Sequence, residues 1–368
     1  MCKSKDFHWT RQACILSWNT GITIFGKWQK MIIVFKPNSP DQEIEKVEKL
    51  VADMGYEPRL IKGVEHTVLG AVGDENLHMS LEVLKNLPVV EDVLPIQKKY
   101  KLASREFHAE NSRFKIGKEI VGGEKFQVIA GPCSIESAAQ MDICAQVLTA
   151  EGVSILRGGA FKPRTSPYDF QGLGYKGLEI LQNIKEKYDV PVVTEVVGIP
   201  SLKAVAEVAD CIQIGARNCQ NYNLLESVAE AGRPVLLKRG MSTTVEEWLN
   251  AAEYLLVHGC ENVILCERGI RTFETSTRNT LDISAVAVAK KESHLPVVVD
   301  PSHAAGKLEF VLPLARAAAA VGADGIIVES HPQPVKALSD AAQQIPCNDF
   351  GKFMDALRPV VEAMGRTL

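Results

Sequence analysis

Residues 128–134 read VIAGPCS, residues 297–303 VVVDPSH and residues 326–330 IIVES. Each is a strand-length apolar run that ends in a side chain able to bind a divalent metal: Cys133, His303 and Glu329. A fourth such residue, Asp340, follows in ALSDAA. Between Cys133 and Glu329 nearly every apolar run of four or five residues also ends in a charge: Arg157 after SIL, Glu195 after PVVT, Arg217 after IQIGA, Lys238 after PVLL and Arg268 after VILCE. These 196 residues make seven steps of 28, and one strand with its crossover helix takes about 30. A parallel eight-stranded barrel sets the carboxyl ends of its strands on one face, where its chemistry is done. The rhythm therefore predicts an α/β chain with a (β/α)8 TIM barrel and a charged rim. A doubly wound open sheet is the competing architecture, because short buried strands read alike in both; eight units suit a closed ring.

Composition sets mild bounds. The chain has 368 residues, 46% hydrophobic and 23% charged, with a net charge of −4. These are values of an ordinary globular protein of roughly two domains, and they give no electrostatic reason to expect nucleic acid or a membrane surface as partner. No apolar stretch approaches the roughly 20 residues of a membrane helix. The nine cysteines are odd in number and contain no C-x-x-C pair, so neither a disulfide framework nor a zinc ribbon is indicated, and a reducing cytoplasm fits.

The barrel does not use the whole chain. Residues 1–30 carry three of the four tryptophans without a clear period and read as an irregular extension upstream of a natural start at Met31. From 31 to 97 the pattern is strand MIIVF, helix Asp41 to Met54, strand EPRLIKG, strand HTVLGAVG, helix Ser80 to Lys85 and strand VVEDVLPI. That order, β-α-β-β-α-β, is a ferredoxin-like α+β unit. Residues 98–115 are polar and read as a linker. The barrel then occupies 116–368, close to the typical length of about 250, with IGKEIVGGEKFQVIAG predicted as a hairpin turned at Gly122-Gly123 that feeds the first strand. Seven helices are predicted between strands, from Glu136–Thr149 to Leu308–Val321, with a final pair near the C-terminus.

Two constellations carry chemistry. Thiolate, imidazole and two carboxylates suit a borderline divalent ion such as Mn, Fe, Co or Zn. Asp340 begins the segment after the last strand; it reads equally as a fourth ligand and as a helix-surface carboxylate. The second constellation is cationic. RGGAFKPRTSPY, residues 157–168, combines Arg157, Lys162 and Arg164 with the hydroxyls of Thr165 and Ser166 and with glycines that permit close backbone approach. Arg217, Lys238 and Arg268 add three more cations. Six cations on one rim of an acidic protein call for a substrate with several negative charges, most simply phosphates. The structural alternative pairs some of them with Glu195, Glu267 or Glu329.

Taken in order, GPCSIES, RGGAFKPRTSPYDFQGLG, PVVTEV, IQIGARN, LLKRGMS, ILCERG, VDPSHAAG and IIVESHPQP resemble the 3-deoxy-D-arabino-heptulosonate 7-phosphate (DAHP) synthases. The resemblance runs from Met31 to about Ile345. It is to the class I beta group, related to octulosonate-phosphate synthases, in which a ferredoxin-like regulatory domain precedes the barrel. It implies condensation of phosphoenolpyruvate with erythrose 4-phosphate, the entry step to the aromatic amino acids. It further implies Cys133, His303, Glu329 and Asp340 as metal ligands, and Arg157, Lys162, Arg217, Lys238 and Arg268 as the phosphoenolpyruvate clamp. Arg164, Thr165 and Ser166 would hold the aldose phosphate. Lys162 would act as general acid, with His303 or Glu195 positioning water, and Cys133 as a ligand, never a nucleophile. Feedback inhibition by Tyr or Phe and a homotetramer complete the implication. Two alternatives are an octulosonate-phosphate synthase, which resembles K-A-N-R where this chain has KPRT, and a catalytically silent amino-acid-binding regulator, which would lack ligands or clamp cations.

Overall fold

The computed structural model describes residues 28–37, 39–62, 67–74, 80–95, 99–163 and 166–368. The predicted extension over residues 1–30 lies outside them except for its last three residues. The chain divides into two compact units between Lys98 and Lys99.

The first unit has strands β1 (Trp28–Phe35), β2 (Glu57–Lys62), β3 (Thr67–Asp74) and β4 (Val90–Pro95), arranged β2-β3-β1-β4. Strand β1 lies antiparallel between β3 and β4. A helix, Asp41–Asp53, starts behind Pro40 with Asp41 and Glu43 in its first turn, where carboxylates favour the helix dipole. It buries Ile44, Val47 and Val51, a spacing of three and four that makes one apolar stripe. Met31, Ile33 and Phe35 alternate inward from β1 onto that stripe. Two expectations change here. Strand β1 begins at Trp28, which pairs with Asp74, so the unit extends upstream of Met31. The second helix is a 3-10 turn, Leu81–Asn86, because its buried residues Leu81 and Leu84 sit three apart and one tight turn covers both.

The second unit opens with a hairpin, β5 (Phe114–Ile116) and β6 (Glu119–Val121). It turns at Gly117-Lys118, not at Gly122-Gly123 as predicted: both Gly117 and Gly122 have positive φ, 57° and 82°, and the turn at Gly117 is the one that buries Ile116 and Val121 together. Eight parallel strands follow: β7 (Gln127–Gly131), β8 (Ile155–Arg157), β9 (Val192–Val196), β10 (Cys211–Ile214), β11 (Val235–Lys238), β12 (Val263–Glu267), β13 (Val297–Val299) and β14 (Gly325–His331). They pair in sequence order, and β14 closes the ring on β7. Inside, Ile129, Ile155, Val193, Leu236, Ile264, Val298 and Ile327 form an apolar layer joined by Ile116 and Val121 of the hairpin. The lumen is therefore packed, and the chemistry is confined to the carboxyl rim. Outside, helices alternate with strands; that at Val245–Val257 starts on a capping box of Thr244 and Glu247 and buries Trp248 against the strand layer. The predicted final helix pair is one helix, Phe350–Ala363, preceded by 3-10 turns at Pro334–Lys336, Ala341–Gln343 and Cys347–Asp349.

The stretch read as a linker is bound to the barrel over residues 99–115. Leu102 and Ala103 amides each donate to Glu253 at 2.9 Å, and Ser112 N donates to His294 O at 2.8 Å. His294 joins both ends of the strap, its Nε2 donating to Leu102 O at 2.7 Å and its Nδ1 accepting from Ser112 Oγ at 2.7 Å. Polarity suggested solvent, but these polar groups are the attachments. Burial, foremost, and nearby His108 and Arg105 lower the His294 pKa, so the fold holds the neutral ring. Protonation favours the unfolded chain, and the stability His294 contributes is full above its unfolded pKa of about 6.5 and is lost as pH falls below it. The melting midpoint is expected to drop by a few degrees between pH 7 and pH 5, and His294→Gln is expected to flatten that slope; equal slopes would exclude the strap as its source.

Candidate active site

Each barrel strand delivers its last residues to the rim. At Gly131 the backbone has φ of 154°, and a Cβ there would lie 1.9 Å from Arg157 O. Glycine thus lets β7 run against β8 just before Cys133. Glu329 ends the apolar part of β14, and His303 sits in a short helix, Pro301–Ala305, directly behind β13. Asp340, predicted equally as ligand or surface group, turns inward: it caps the Ala341–Gln343 turn with left-handed φ 51° and ψ 36°.

The four converge. Ligand atoms of Cys133, Glu329 and Asp340 lie within 4.8 Å of one another. His303 Nε2 stands 3.5 Å from Glu329 Oε1 and 3.6 Å from Asp340 Oδ2. The thiol donates to Asp340 Oδ2 at 3.3 Å. His303 Nδ1 donates to Asp300 Oδ2 at 2.7 Å, which fixes the tautomer and leaves the Nε2 lone pair toward Glu329 and Asp340, the arrangement of a metal-ligating histidine. Sulfur, nitrogen and two carboxylates fit a divalent ion of the borderline group. The protonation states agree with that fit. Burial, helped by Glu329, pushes the Cys133 thiol up to about 12, so an ion must displace its proton. Burial lowers the His303 pKa and keeps the ring neutral. Burial opposes charge on Asp340, yet the Arg278 guanidinium, 3.1 Å away, holds its carboxyl below the usual range; Arg157 does the same for Glu329.

Above this cluster opens a cavity of about 440 Å³ lined by seven cations (Arg157, Lys162, Arg217, Lys238, Arg268, Arg271 and Arg278) and three carboxylates (Asp169, Glu195 and Asp340). Two of the cations are neutralised from behind: Arg157 Nη1 meets Glu329 Oε1 at 2.6 Å, and Lys238 pairs with buried Asp300. Arg268 is buried, its Nη1 donating to Gly269 O at 3.2 Å, and burial lowers its pKa. Lys162 Nζ lies 3.2 Å from Cys133 Sγ and 3.0 Å from Cys133 O. Glu195 accepts from Gln213 Nε2 at 3.1 Å and fills the space that a side chain at residue 215 would need, glycine being present there. Of the alternative pairings, Glu329 does bind Arg157, whereas Glu267 is taken by Arg239 at 2.8 Å.

Arg164 and Thr165 lie outside the described residues. Ser166 is half-buried, accepts from Tyr168 N at 3.3 Å and is not among the cavity's lining residues. Sequence reasoning missed four members. Asp300 had a signal, standing between strand and proline as a helix N-cap does. Gln343, which donates to Glu329 Oε2 at 2.6 Å, and Arg271 and Arg278 come from segments without period, so nothing pointed to them.

The profile of the DAHP synthetase I family matches residues 104–364, and that of the DAHP synthase ferredoxin-like domain matches residues 31–98. The chain belongs to the DAHP synthetase I family. It is 50% identical over 335 residues to phospho-2-dehydro-3-deoxyheptonate aldolase of Thermotoga maritima, covering 91% of this chain and 99% of that protein. A crystal structure of the Thermotoga maritima DAHP synthase superposes with a TM-score of 0.76 at 48% identity, over 92% of this chain and 99% of that one. The 2-dehydro-3-deoxyphosphooctonate aldolase of Francisella philomiragia is 33% identical over 258 residues, 65% of this chain and 93% of that protein. The chain's activity is accordingly that of a DAHP synthase, a transferase at the first step of aromatic biosynthesis.

The Arg157–Glu329 pair is testable as a structural element. In metal-free protein, Arg157→Leu leaves a buried carboxylate without its cation, a loss of about 3–5 kcal/mol, seen as a fall of several degrees in melting midpoint; an unchanged midpoint would show that the pair adds no stability.

Proposed function

We propose that the chain condenses phosphoenolpyruvate with erythrose 4-phosphate and water to give DAHP and phosphate, using a divalent ion (Mn, Fe, Co or Zn) held by Cys133, His303, Glu329 and Asp340. One observation carries the reading: a sulfur, nitrogen and two-carboxylate donor set gathers beside a cationic cavity that two of its members, His303 and Asp340, line. When bound, the ion supplies Lewis acidity to the aldehyde oxygen.

The protein's own groups do the rest. Arg157, Lys162, Arg217, Lys238 and Arg268 bind the phosphate and carboxylate of phosphoenolpyruvate, and Arg268, buried at an energetic cost, gains most from the arriving anion. Arg164, Thr165 and Ser166 hold the aldose phosphate. Lys162, beside the Cys133 sulfur, gives a proton to the aldehyde oxygen as the enol phosphate's methylene carbon attacks. Water then adds to the cationic carbon and phosphate leaves by carbon–oxygen cleavage. Both nitrogens of His303 are engaged, with Asp300 and with the ligand cluster, which favours Glu195 as the group that positions this water. The 50% identity to the heptonate enzyme over 91% of this chain, against 33% over 65% for the octonate enzyme, supports the four-carbon aldose over a five-carbon one.

The front unit is proposed to bind tyrosine or phenylalanine and restrain the barrel, and the enzyme to work as a homotetramer. A reducing cytoplasm suits the seven described cysteines, all of which are free. Among the described residues no helix is long and apolar enough to cross a membrane.

EDTA-stripped enzyme is expected to release no phosphate from phosphoenolpyruvate, and manganese to restore release with erythrose 4-phosphate but not with arabinose 5-phosphate. Full activity after stripping would remove the ion from the mechanism; release with arabinose 5-phosphate would transfer the chain to the octulosonate reaction. Deleting residues 1–98 is expected to leave an active barrel insensitive to tyrosine and phenylalanine, and inhibition that survives the deletion would refute the front unit's role.

A further inference from the structure

Asp340 is the ligand least anchored by the fold. Cys133, His303 and Glu329 follow or end barrel strands, whereas Asp340 lies in the segment 332–344, which contains none of them. That segment has little apolar anchorage at its tip, since Val335 is 92% and Leu338 56% exposed. Its left-handed backbone at Asp340 is one that a non-glycine residue keeps only when its surroundings over-determine it.

Arg278 Nη1 donates to Asp340 Oδ1 at 3.1 Å and to Gln343 Oε1 at 3.2 Å; further bonds on the segment come from the loop carrying Cys133 and from His331. Glu136 Oε1 accepts from Leu338 N at 2.8 Å, and Oε2 accepts from His331 Nε2 at 3.4 Å. His331 Nδ1 accepts from Gln333 N at 2.9 Å, which places the ring proton on Nε2, facing Glu136. Ser134 Oγ meets Ser339 Oγ at 2.8 Å in a buried contact. Gln344 completes the set, accepting from Cys133 N at 3.3 Å and donating to Ser339 O at 2.8 Å. The Glu136 side chain is only 12% exposed, so water competes weakly for its two bonds. Glu136 and His331 stand in GPCSIES and IIVESHPQP, and neither lines the catalytic cavity.

We infer that Glu136 is a positioning residue that clasps the Asp340 loop to the Cys133 loop, so that sulfur and carboxylate are presented as a pair before the ion arrives. The inference rests on the metal site proposed above. Outer-shell groups that orient ligands typically change metal affinity about 10–100-fold when removed.

The test titrates EDTA-stripped, full-length protein with cobalt(II) and follows the thiolate-to-cobalt absorption band. Glu136→Ala is expected to raise the cobalt Kd about 10–100-fold while the metal-free melting midpoint stays near wild type. Glu136→Gln is expected to recover part of the loss, because its amide oxygen still accepts from Leu338 N. A merely structural role would lower the metal-free midpoint and leave the folded protein's cobalt affinity unchanged, and that result overturns the inference. Should Glu136→Ala not fold, Ser339→Ala breaks the same clasp at its buried contact and is expected to weaken cobalt about tenfold; wild-type affinity there likewise overturns it. Failure of the wild-type protein to bind cobalt would overturn the metal reading and the clasp together, whereas equal affinity in wild type and variant overturns the clasp alone.

Discussion

A chain of buried polar groups at the carboxyl rim of the barrel, an ion pair at each end and a neutral imidazole between them, constrains the rest of the structure. Arg157 meets Glu329, Glu329 faces His303, His303 donates to Asp300, and Asp300 pairs with Lys238. Arg157, Glu329, Asp300 and Lys238 are each at most 5% exposed. Charges taken out of water are tolerated only when each has an opposite neighbour and its hydrogen bonds are met, and here every carboxylate lies between two partners. The four come from β8, β14, the turn after β13, and β11, so the chain of polar groups exists only if the ring closes in the correct register. A slip of one residue in any strand would turn its charge to the opposite face.

The same closure separates stability from chemistry. The apolar layer of Ile129, Val193, Leu236, Val298 and Ile327, joined by Ile116 and Val121, fills the lumen with buried side chains that offer no polar group to water or ligand. Polar groups can accumulate only above it, where the strands end and loops supply further donors. Burial then tunes them: it keeps His303 neutral and the Cys133 thiol protonated. Seven cations line the cavity against three carboxylates, and even with Arg157 and Lys238 neutralised from behind by Glu329 and Asp300 the balance suits anions.

Much of this was legible in advance where one side chain ends one strand. Cys133, Arg157, Lys238 and Glu329 needed only the 28-residue period to be set on a common rim, because a parallel strand fixes its end relative to its neighbours. Regions whose geometry depends on distant bonds were misread or left open. The strap over 99–115 looked solvated because its polar groups find their partners, Glu253 and His294, about 150 or more residues away in sequence. The hairpin turn moved from Gly122-Gly123 to Gly117-Lys118 because two glycine signals competed and only packing of Ile116 and Val121 chooses between them. Arg271 and Arg278 left no trace, since a loop residue's direction is set by what its loop packs on.

By itself, then, the sequence determined the repeat, the apolar layers, the front β-α-β-β-α-β unit and the types of donor available to an ion and to anionic substrates, because these follow from local periodicity and from which residue ends each run. Only the tertiary structure decided which donors meet. Asp340 joins the cluster through a left-handed turn held by Glu136, Ser134 and Gln344, and Asp300 becomes the hinge between His303 and Lys238. Such contacts join residues about 60 to 200 positions apart, and no local preference encodes a distance that only the closed ring brings down to that of a hydrogen bond.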